Sequence, residues 1–264
     1  MRLTSFCLFV LTNAFTLSVQ AQNAYKVPAG FNDLNTVYTY SKSNRDGSNE
    51  SVIYLYVRDS AHLESFKWSE GDEWATLVGA EINWQYGAIK HFTNHRIIAG
   101  GERKKIAELV VKDGRNLQFT VGDFSDSMTL LSEFWHSYDF DFAGLGFSWR
   151  ALKDKKAPFS FLIADAAFVN NKIGFENKGM VQVHYKGEEI LHNKLCFKYH
   201  IDGPGLQHKG GNIWIDPATW MIEEYSIALP DEEGYRDGRL SLTGVSKITP
   251  SEWELFISEK MQKK

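Results

Sequence analysis

Two aspartates separated by one residue, with a histidine shortly before them, form the best acid–base group in this sequence. They are Asp139 and Asp141 within the stretch 138–142, and the histidine is His136. Polar and aromatic residues alternate here, so an extended backbone would place both carboxylates on one side, about 6.6 Å apart. Paired carboxylates can separate their pKa values and act as acid and base, or bind a hard cation. The plainer alternative, which this common spacing favours, is an amphipathic strand whose aspartates face water.

The other histidine, cysteine and glycine patterns each lack a feature that their chemistry needs. His91 and His95 have the spacing of a helical metal site, but their segment has the pattern of a strand. Cys196 and His200 also lie in a strand pattern, where four residues span about 13 Å, too far for a catalytic dyad. The glycine-rich loop 202–212 precedes a strand, whereas a phosphate loop requires a helix N-terminus. We therefore assign no catalytic residue, metal or cofactor, and the sequence favours a protein that is not an enzyme.

Aromatic side chains at alternating positions give the remaining signal for function. In the stretch 76–86 the even-numbered residues share one face, and the small ones among them leave room beside the larger ones. The aromatic segment 135–149 is expected to complete the same wall. Core packing explains most such residues, and the functional interpretation is a curved sheet whose concave face binds a lipid-like ligand. The candidate ligand-binding residues are Trp84, Tyr86, Trp135, Tyr138, Trp149 and Trp214.

Strands must position most of these residues. Asp113-Gly114 and the stretch 191–194 predict hairpins between alternating runs. In the centre, 127–134 is predicted as one or two helical turns and 138–142 as a strand or extended segment. Gly144 and Gly146 are then expected to break that segment.

Only the C-terminal end has a clear helix signal. The four residues 249–252, Thr-Pro-Ser-Glu, form a capping box with proline at the first helical position. We expect this helix to pack on a sheet surface or close a barrel mouth. The predicted fold is therefore all-β and mainly antiparallel, a large curved sheet or incomplete β-barrel with a short central helical segment and a C-terminal α-helix. A single domain is expected over 22–264.

Residues 1–21 have the pattern of a secretory signal peptide. Arg2 precedes an uncharged apolar run that ends in Val-Gln-Ala, which predicts cleavage after Ala21 and export to the periplasm or the extracellular space. The full chain has a formal net charge of −4, and cleavage removes a basic residue only. This acidity, with no basic block in the sequence, argues against nucleic acid or an anionic membrane as the main partner. No transmembrane segment is expected after cleavage, and Cys196 would be the one remaining cysteine, which excludes an intramolecular disulfide.

Three short patterns carry a resemblance to known proteins. They are Gly-x-x-x-Val-x-Tyr-x-Gly-Glu-Glu at 179–189, Cys-Phe-Lys-Tyr at 196–199 and Ile-Trp-Ile-Asp at 213–216. With them the chain resembles uncharacterised exported β-rich families of bacteria, which are remotely similar to periplasmic lipoprotein-localisation factors. The resemblance covers about residues 175–250 and implies an envelope location, an all-β fold and an apolar ligand. The chain departs from the carriers in length and in its central segment, and no catalytic residue is carried over.

These observations leave three hypotheses for function. The first is an exported cell-envelope protein, not an enzyme, that binds a lipid or another apolar small molecule on the concave face of its sheet. The second is a structural or interaction protein of the envelope with a filled core. The third is a hydrolase that uses Asp139 and Asp141 with a histidine. Protein partners are not indicated by any pattern in the sequence.

Overall fold

The first and last strands of the protein pair with each other and join its two ends into one sheet. A computed structural model describes residues 33–69, 72–140, 142–169, 172–230 and 234–262, so the predicted signal peptide lies outside the described residues. The strands are β1 (Thr36–Asn44), β2 (Ser51–Val57), β3 (His62–Trp68), β4 (Ala75–Asn83), β5 (Ala88–Ile97), β6 (Arg103–Lys112), β7 (Asn116–Val121), β8 (Phe124–Thr129), β9 (Trp135–His136), β10 (Phe159–Val169), β11 (Lys172–Leu191), β12 (Lys194–Asp202), β13 (Gly211–Ile215), β14 (Ile222–Ile227) and β15 (Gly238–Lys247). The helices are α1 (Leu145–Ala151) and α2 (Pro250–Gln262).

All 15 strands belong to a single open, curved sheet. Their order is β8-β7-β6-β5-β4-β3-β2-β1-β15-β14-β13-β12-β11-β10-β9. Each neighbouring pair is antiparallel except the two-residue strand β9, which is parallel to β10. The predicted fold class is therefore confirmed. Neighbouring strands are consecutive in the chain except where β1 meets β15, and the consecutive strands β8 and β9 lie at opposite edges of the sheet.

Short turns with left-handed residues form the predicted hairpins. Asp113 and Gly114 have φ angles of 50° and 74° between β6 and β7. His192 and Asn193 have φ angles of 49° and 64° between β11 and β12. Asparagine, aspartate and glycine adopt this conformation at low cost, and its twist matches that of the flanking strands. Both hairpin predictions are confirmed.

The sheet buries both of its faces, which we name by the cores that they carry. The larger core defines the concave face, and the smaller core, beneath α2, defines the convex face. In β2, Ile53 and Leu55 belong to the concave core, whereas Tyr56 belongs to the convex one. Side chains along β2 alternate between the two faces, and both sets are mainly apolar because both faces are covered here.

Helix α2 covers the convex face as predicted for a helix packed on a sheet. Its capping box forms, because the backbone N–H of Thr249 donates to Glu252 Oε2 at 2.6 Å and that of Glu252 donates to Thr249 Oγ1 at 3.3 Å. Trp253 stacks on the Tyr56 ring with centroids 4.9 Å apart, and its Nε1 donates to Glu64 Oε2. The helix is therefore tied to the sheet by aromatic packing and by polar contacts, which include ion pairs of Glu254 with Arg58 and Arg103.

The central stretch differs from its prediction in three places. Residues 127–129 lie in β8, where pairing with β7 supplies the backbone hydrogen bonds that a helical turn would otherwise make. Tyr138–Phe140 and Phe142–Gly144 are 3₁₀ turns rather than a strand. Gly144 ends the second turn and leads directly into α1, which contains Gly146, so the two glycines do not break the segment as predicted. Asp141, between the two turns, lies outside the described residues.

Burial on all sides explains this outcome. A strand would direct the alternating aromatic residues to one face, whereas helical turns direct them to several. An added Cβ at Gly144 would lie 2.5 Å from the Phe140 ring, so glycine lets that ring approach the backbone. We call residues 130–152 the plug, because they fill the concave face with buried side chains that include Phe134, Trp135, Phe140, Phe142, Leu145, Phe147 and Trp149.

Candidate functional site

The structure places five of the six candidate aromatic residues in or against the concave core. Trp84, Trp135, Tyr138 and Trp149 are buried there, and Tyr86 packs against them while partly exposed. Trp214 points to the opposite side, since both of its neighbours in β13 belong to the concave core. The aromatic residues on the plug and on β4–β5 are thus brought together, with Trp135 Nε1 donating to the Ile89 carbonyl oxygen at 3.0 Å. Their role in ligand binding stays a prediction.

Hydrogen bonds as well as packing hold the plug on the concave face. The buried Asp165 carboxylate accepts from the backbone N–H of Tyr138 at 2.8 Å and from Ser137 Oγ at 3.1 Å. The Tyr138 hydroxyl donates to the Gly205 carbonyl oxygen, and Ser148 Oγ donates to that of Gly87 at 2.7 Å. A ligand on this part of the concave face would therefore have to displace the plug and break these contacts.

The predicted acid–base group is described only in part. His136 is buried, and its ring stacks on that of Phe142 with centroids 5.4 Å apart. Asp139 lies in the first 3₁₀ turn, but its side chain and all of Asp141 lie outside the described part. The hydrolase hypothesis therefore stays a prediction. Within the described residues, no group of three or more His, Cys, Asp or Glu side chains could hold a metal ion.

A cleft of about 320 Å³ opens at the edge of the concave face, where the plug ends. We call it the rim cleft. Its walls come from the start of β1, the end of β15, the β11–β12 turn and the β13–β14 turn, which are adjacent because β1 pairs with β15. Its lining residues are Asp33, Thr36, Tyr38, Lys194, Asp216, Thr219, Glu223, Leu242, Val245, Ser246 and Lys247.

One set of polar contacts at the rim cleft ties the plug to the sheet. Arg150, at the end of α1, forms an ion pair with Asp33, and its Nη2 donates to the Thr219 carbonyl oxygen at 2.6 Å. The Tyr38 hydroxyl donates to Asp33 Oδ2 at 2.6 Å. Burial and the adjacent Asp33 carboxylate raise the pKa of Tyr38, so this hydroxyl keeps its proton and remains a donor.

A second set lies on the opposite wall. Lys194 Nζ lies 2.8 Å from Asp216 Oδ2 and also pairs with Glu223, while Thr219 Oγ1 donates to Asp216 at 3.0 Å. Burial raises the pKa of Asp216, but the hydrogen bonds from Lys194 and the Ala218 backbone outweigh it, so the pKa lies below its ordinary value. The carboxylate is therefore ionised at neutral pH, and the cleft presents fixed charges of both signs.

Tyr40 provides a polar group beside the rim cleft that has no partner. It follows Tyr38 on the same face of β1, and its side chain is fully buried. Its hydroxyl has no hydrogen-bond partner among the described residues. Burial raises the pKa of Tyr40 well above its usual value, and Tyr38 and Glu223 add to the effect while Arg150 opposes it. A buried hydroxyl without a partner is costly, and Tyr40 is not among the residues that line the rim cleft.

Sequence reasoning missed the rim cleft because its residues are far apart in the chain. Asp33, Arg150 and Glu223 meet only through the β1–β15 pairing and the docking of the plug, and neither leaves a local pattern. The one usable signal was the alternation of Tyr38 and Tyr40, which placed two hydroxyl-bearing residues on one face.

Comparison with known proteins shows distant structural likeness only. No protein-family model and no curated protein matches the chain. A β-barrel-like protein of the domain of unknown function DUF1849 from Brucella abortus has 8% identity and a TM-score of 0.44, over 81% of this chain and 98% of that one. A protein with YmcC-like fold from Bacteroides fragilis has 12% identity and a TM-score of 0.30, over 85% of this chain and 100% of that one. A DUF1329 family protein from Desulfovibrio piger has 7% identity and a TM-score of 0.31, over 81% of this chain and 85% of that one.

These TM-scores are too low for a ligand, a residue role or a location of those proteins to be assigned to this chain. None of the three descriptions names a lipoprotein-localisation factor, so that part of the resemblance stays a prediction. The helices of the described residues include none with the length and apolar character needed to cross a membrane.

Proposed function

We propose that this chain is an exported cell-envelope protein, with a single domain over 22–264, that binds an amphipathic, lipid-like ligand in the rim cleft. One observation carries the proposal, namely an open cleft of about 320 Å³ that is lined by both apolar and charged side chains. Tyr38, Leu242 and Val245 supply apolar surface. Clefts that bind small molecules are commonly apolar, with a few placed polar groups that orient the ligand.

The cleft suits a ligand that has a chain and a polar end. Burying a hydrocarbon chain contributes about 0.8 kcal/mol for each methylene. The polar end would meet Lys194 and Asp33 in the cleft, where exchanging one charged partner for another limits the desolvation cost.

The predicted aromatic wall would contact the ligand only in a second stage of binding, after the ligand has entered the rim cleft. A longer ligand would reach Trp84, Trp135 and Trp149 only after the plug moved, because the plug fills that part of the concave face. Arg150 connects the two stages, since it belongs to the plug and contacts residues that line the cleft. Trp214 faces away from the concave core and is not part of the proposed site.

A displacement assay with a fluorescent fatty acid tests the proposal. Val245 is 58% exposed on the cleft wall, so Val245→Asp places a charge there without removing core packing. We expect binding at least about ten-fold weaker, because an acyl chain would have to desolvate the new carboxylate. Leu255→Asp is the matched control, since Leu255 is 57% exposed on α2 at the opposite face. Failure of the folded parent to bind, or equal binding by both variants, would rule out the rim cleft.

A second candidate is a structural or interaction protein of the envelope with a filled core. The observation in its favour is the plug, whose aromatic side chains occupy the concave face in place of a ligand. This candidate predicts that the folded parent binds no fatty acid at any concentration at which the probe stays monomeric. The same displacement assay therefore separates the two functions.

A further inference from the structure

The described part of the chain begins on the wall of the rim cleft. Asp33 is the first described residue, and it lines the cleft together with Thr36 and Tyr38. Its carboxylate is held there by an ion pair with Arg150 and by the Tyr38 hydroxyl. The preceding residues, 22–32, are therefore attached to the protein at a fixed point on the cleft wall.

The composition of the stretch 22–32 suits a cleft with apolar and acidic lining. Its sequence is Gln-Asn-Ala-Tyr-Lys-Val-Pro-Ala-Gly-Phe-Asn, in which Lys26 is the one charged residue. Pro28 favours an extended backbone at Val27. An extended backbone directs Tyr25 and Val27 to one side and Lys26 to the other. The stretch thus offers apolar side chains on one side and an ammonium group on the other.

Two adjacent strands give the cleft its apolar surface. Tyr38 on β1 lies opposite Val245 on β15 in the register, and Leu242 on β15 also lines the cleft. Val245 is 58% exposed. Covering an exposed aliphatic side chain with another apolar group is favourable, because it removes the surface of both from water.

Other elements supply two carboxylates that share one lysine. Asp216 and Glu223 both lie within ion-pair distance of Lys194, and their side chains are only 7% and 16% exposed. Lys247 Nζ, on β15, lies 3.4 Å from the Leu34 carbonyl oxygen. A further ammonium group beside the two carboxylates would give each of them a cation. Water screens such a contact weakly, since both carboxylates are largely buried.

We infer that the stretch 22–32 folds back across the rim cleft and docks in it. Its apolar side chains cover Val245, and the Lys26 ammonium binds the two carboxylates that share Lys194. Eleven extended residues span about 36 Å, so the stretch has ample reach. Attachment at Asp33 selects this stretch over a free partner, because a short tether gives an effective concentration in the millimolar range.

This contact within the chain goes beyond the proposed function. It holds whether or not the rim cleft binds a ligand, since it depends only on the cleft lining and the tether. Where a ligand does bind, the docked stretch competes with it and lowers its apparent affinity.

Disulfide trapping in the full chain tests the inference. Each variant carries Cys7→Ser, so the buried Cys196 is the one native cysteine left. We expect Val27→Cys/Val245→Cys to form a disulfide within the chain at least about ten-fold faster than Val27→Cys/Ser251→Cys in the same mild oxidant, because docking raises the effective concentration of the two thiols.

Ser251 is the matched control position. It is exposed at the start of α2, and the nearby Ile248 N–H donates to the Asn35 carbonyl oxygen at 2.8 Å. It therefore lies near the start of β1 but does not line the cleft. Adding Lys26→Glu should remove most of the difference between the two pairs, because the new carboxylate meets two others. Lys112→Glu, exposed and outside the cleft, should leave the difference unchanged.

Three results would overturn the inference. One is an equal trapping rate at the two positions, and another is a difference that survives Lys26→Glu. The third is a disulfide that joins two chains, which would assign the cleft to a second copy. Thermal unfolding establishes that each variant folds. Trapping is measured without a ligand and fatty-acid displacement without an oxidant, so the inference and the proposed function fail separately.

Discussion

Two tyrosines on one face of β1 differ in how their hydroxyls are satisfied. Tyr38 donates to the Asp33 carboxylate, whereas the buried Tyr40 hydroxyl has no partner among the described residues. Removing a buried hydroxyl that has no partner relieves a desolvation penalty. Removing a hydroxyl that donates to a carboxylate loses a stabilising, charge-assisted hydrogen bond. The pair therefore allows a matched test with the same chemical change.

We predict that Tyr38→Phe lowers the free energy of unfolding by about 1.5–3 kcal/mol and that Tyr40→Phe leaves it unchanged or raises it by about 1 kcal/mol. Denaturant unfolding at neutral pH measures both. A clear loss of stability in Tyr40→Phe would show that its hydroxyl has a partner in the folded protein.

Cys196 has the environment of an inert thiol. It is fully buried in β12, and burial raises the pKa of its thiol to about 11, with the nearby Glu223 carboxylate adding to the effect. The thiolate is the reactive form, so little of it exists at pH 8. We expect no labelling by a thiol reagent in the native protein and one thiol per chain in denaturant. Two thiols would mean that Cys7, and with it the signal peptide, had been retained.

At the scale of elements, Trp253 is the largest fully buried side chain of α2. Trp253 is fully buried between Tyr56 and Phe66, whereas Leu255 on the same helix is exposed. We predict that Trp253→Ala lowers the free energy of unfolding by about 3–5 kcal/mol, the usual cost of truncating a buried aromatic side chain. Leu255→Ala should change it by less than about 0.5 kcal/mol. Equal effects in urea unfolding would contradict this account of how the helix is held.

The plug depends on a buried carboxylate. Asp165 accepts hydrogen bonds from Ser137 and the Tyr138 backbone, and these contacts join the plug to β10. Asp165→Ala leaves the buried Tyr138 N–H without this acceptor, so we expect a loss of about 1–3 kcal/mol. Hydrogen exchange should quicken in the plug before it does in the sheet. The control is Asn177→Ala, which removes contacts to the exposed ends of β8 and the plug only.

Local sequence patterns predicted elements whose hydrogen bonds are local. The hairpin at Asp113-Gly114 and the capping box at Thr249 both follow from side chains within a few residues of each other. The conformation of the plug could not be predicted from local patterns, because its 3₁₀ turns are favoured by burial against distant strands and by a contact with Asp165. Alternation in 138–142 was a true feature of the sequence, but tertiary packing outweighed it.

At the scale of the whole molecule, the β1–β15 pairing decides where the candidate site lies. It brings Asp33 next to residues that follow it by more than 180 positions, including Asp216 and Glu223. No pattern in the sequence predicts which strands meet across such a distance, because the loop-closure cost changes slowly with length. Composition and alternation were sufficient for the curved sheet, but not for the cleft at its edge.

Two carboxylates near this junction, in β14 and in the turn before it, have pKa values below the ordinary range. For Asp216 and Glu224 burial raises the pKa, but contacts with Lys194 and Arg239 respectively help to bring each below its ordinary value. Arg239 Nη2 lies 2.8 Å from Glu224 Oε2, and Ser241 Oγ donates to the same atom. A lowered pKa means that the folded protein takes up these protons less readily than the unfolded chain.

Stability from both groups is therefore present above about pH 4, the ordinary carboxyl range, and is lost as the pH falls through the lowered folded values. We predict that the free energy of unfolding is level near neutral pH and falls steadily below about pH 4. Glu224→Gln should be less stable at pH 7 and lose less on acidification, because it has no proton to gain. Asp113→Asn, in an exposed turn, is the control for removing a carboxylate. Urea unfolding from pH 7 to pH 3 measures the three curves, and a Glu224→Gln curve parallel to the parent's would show that this carboxylate does not contribute to acid unfolding.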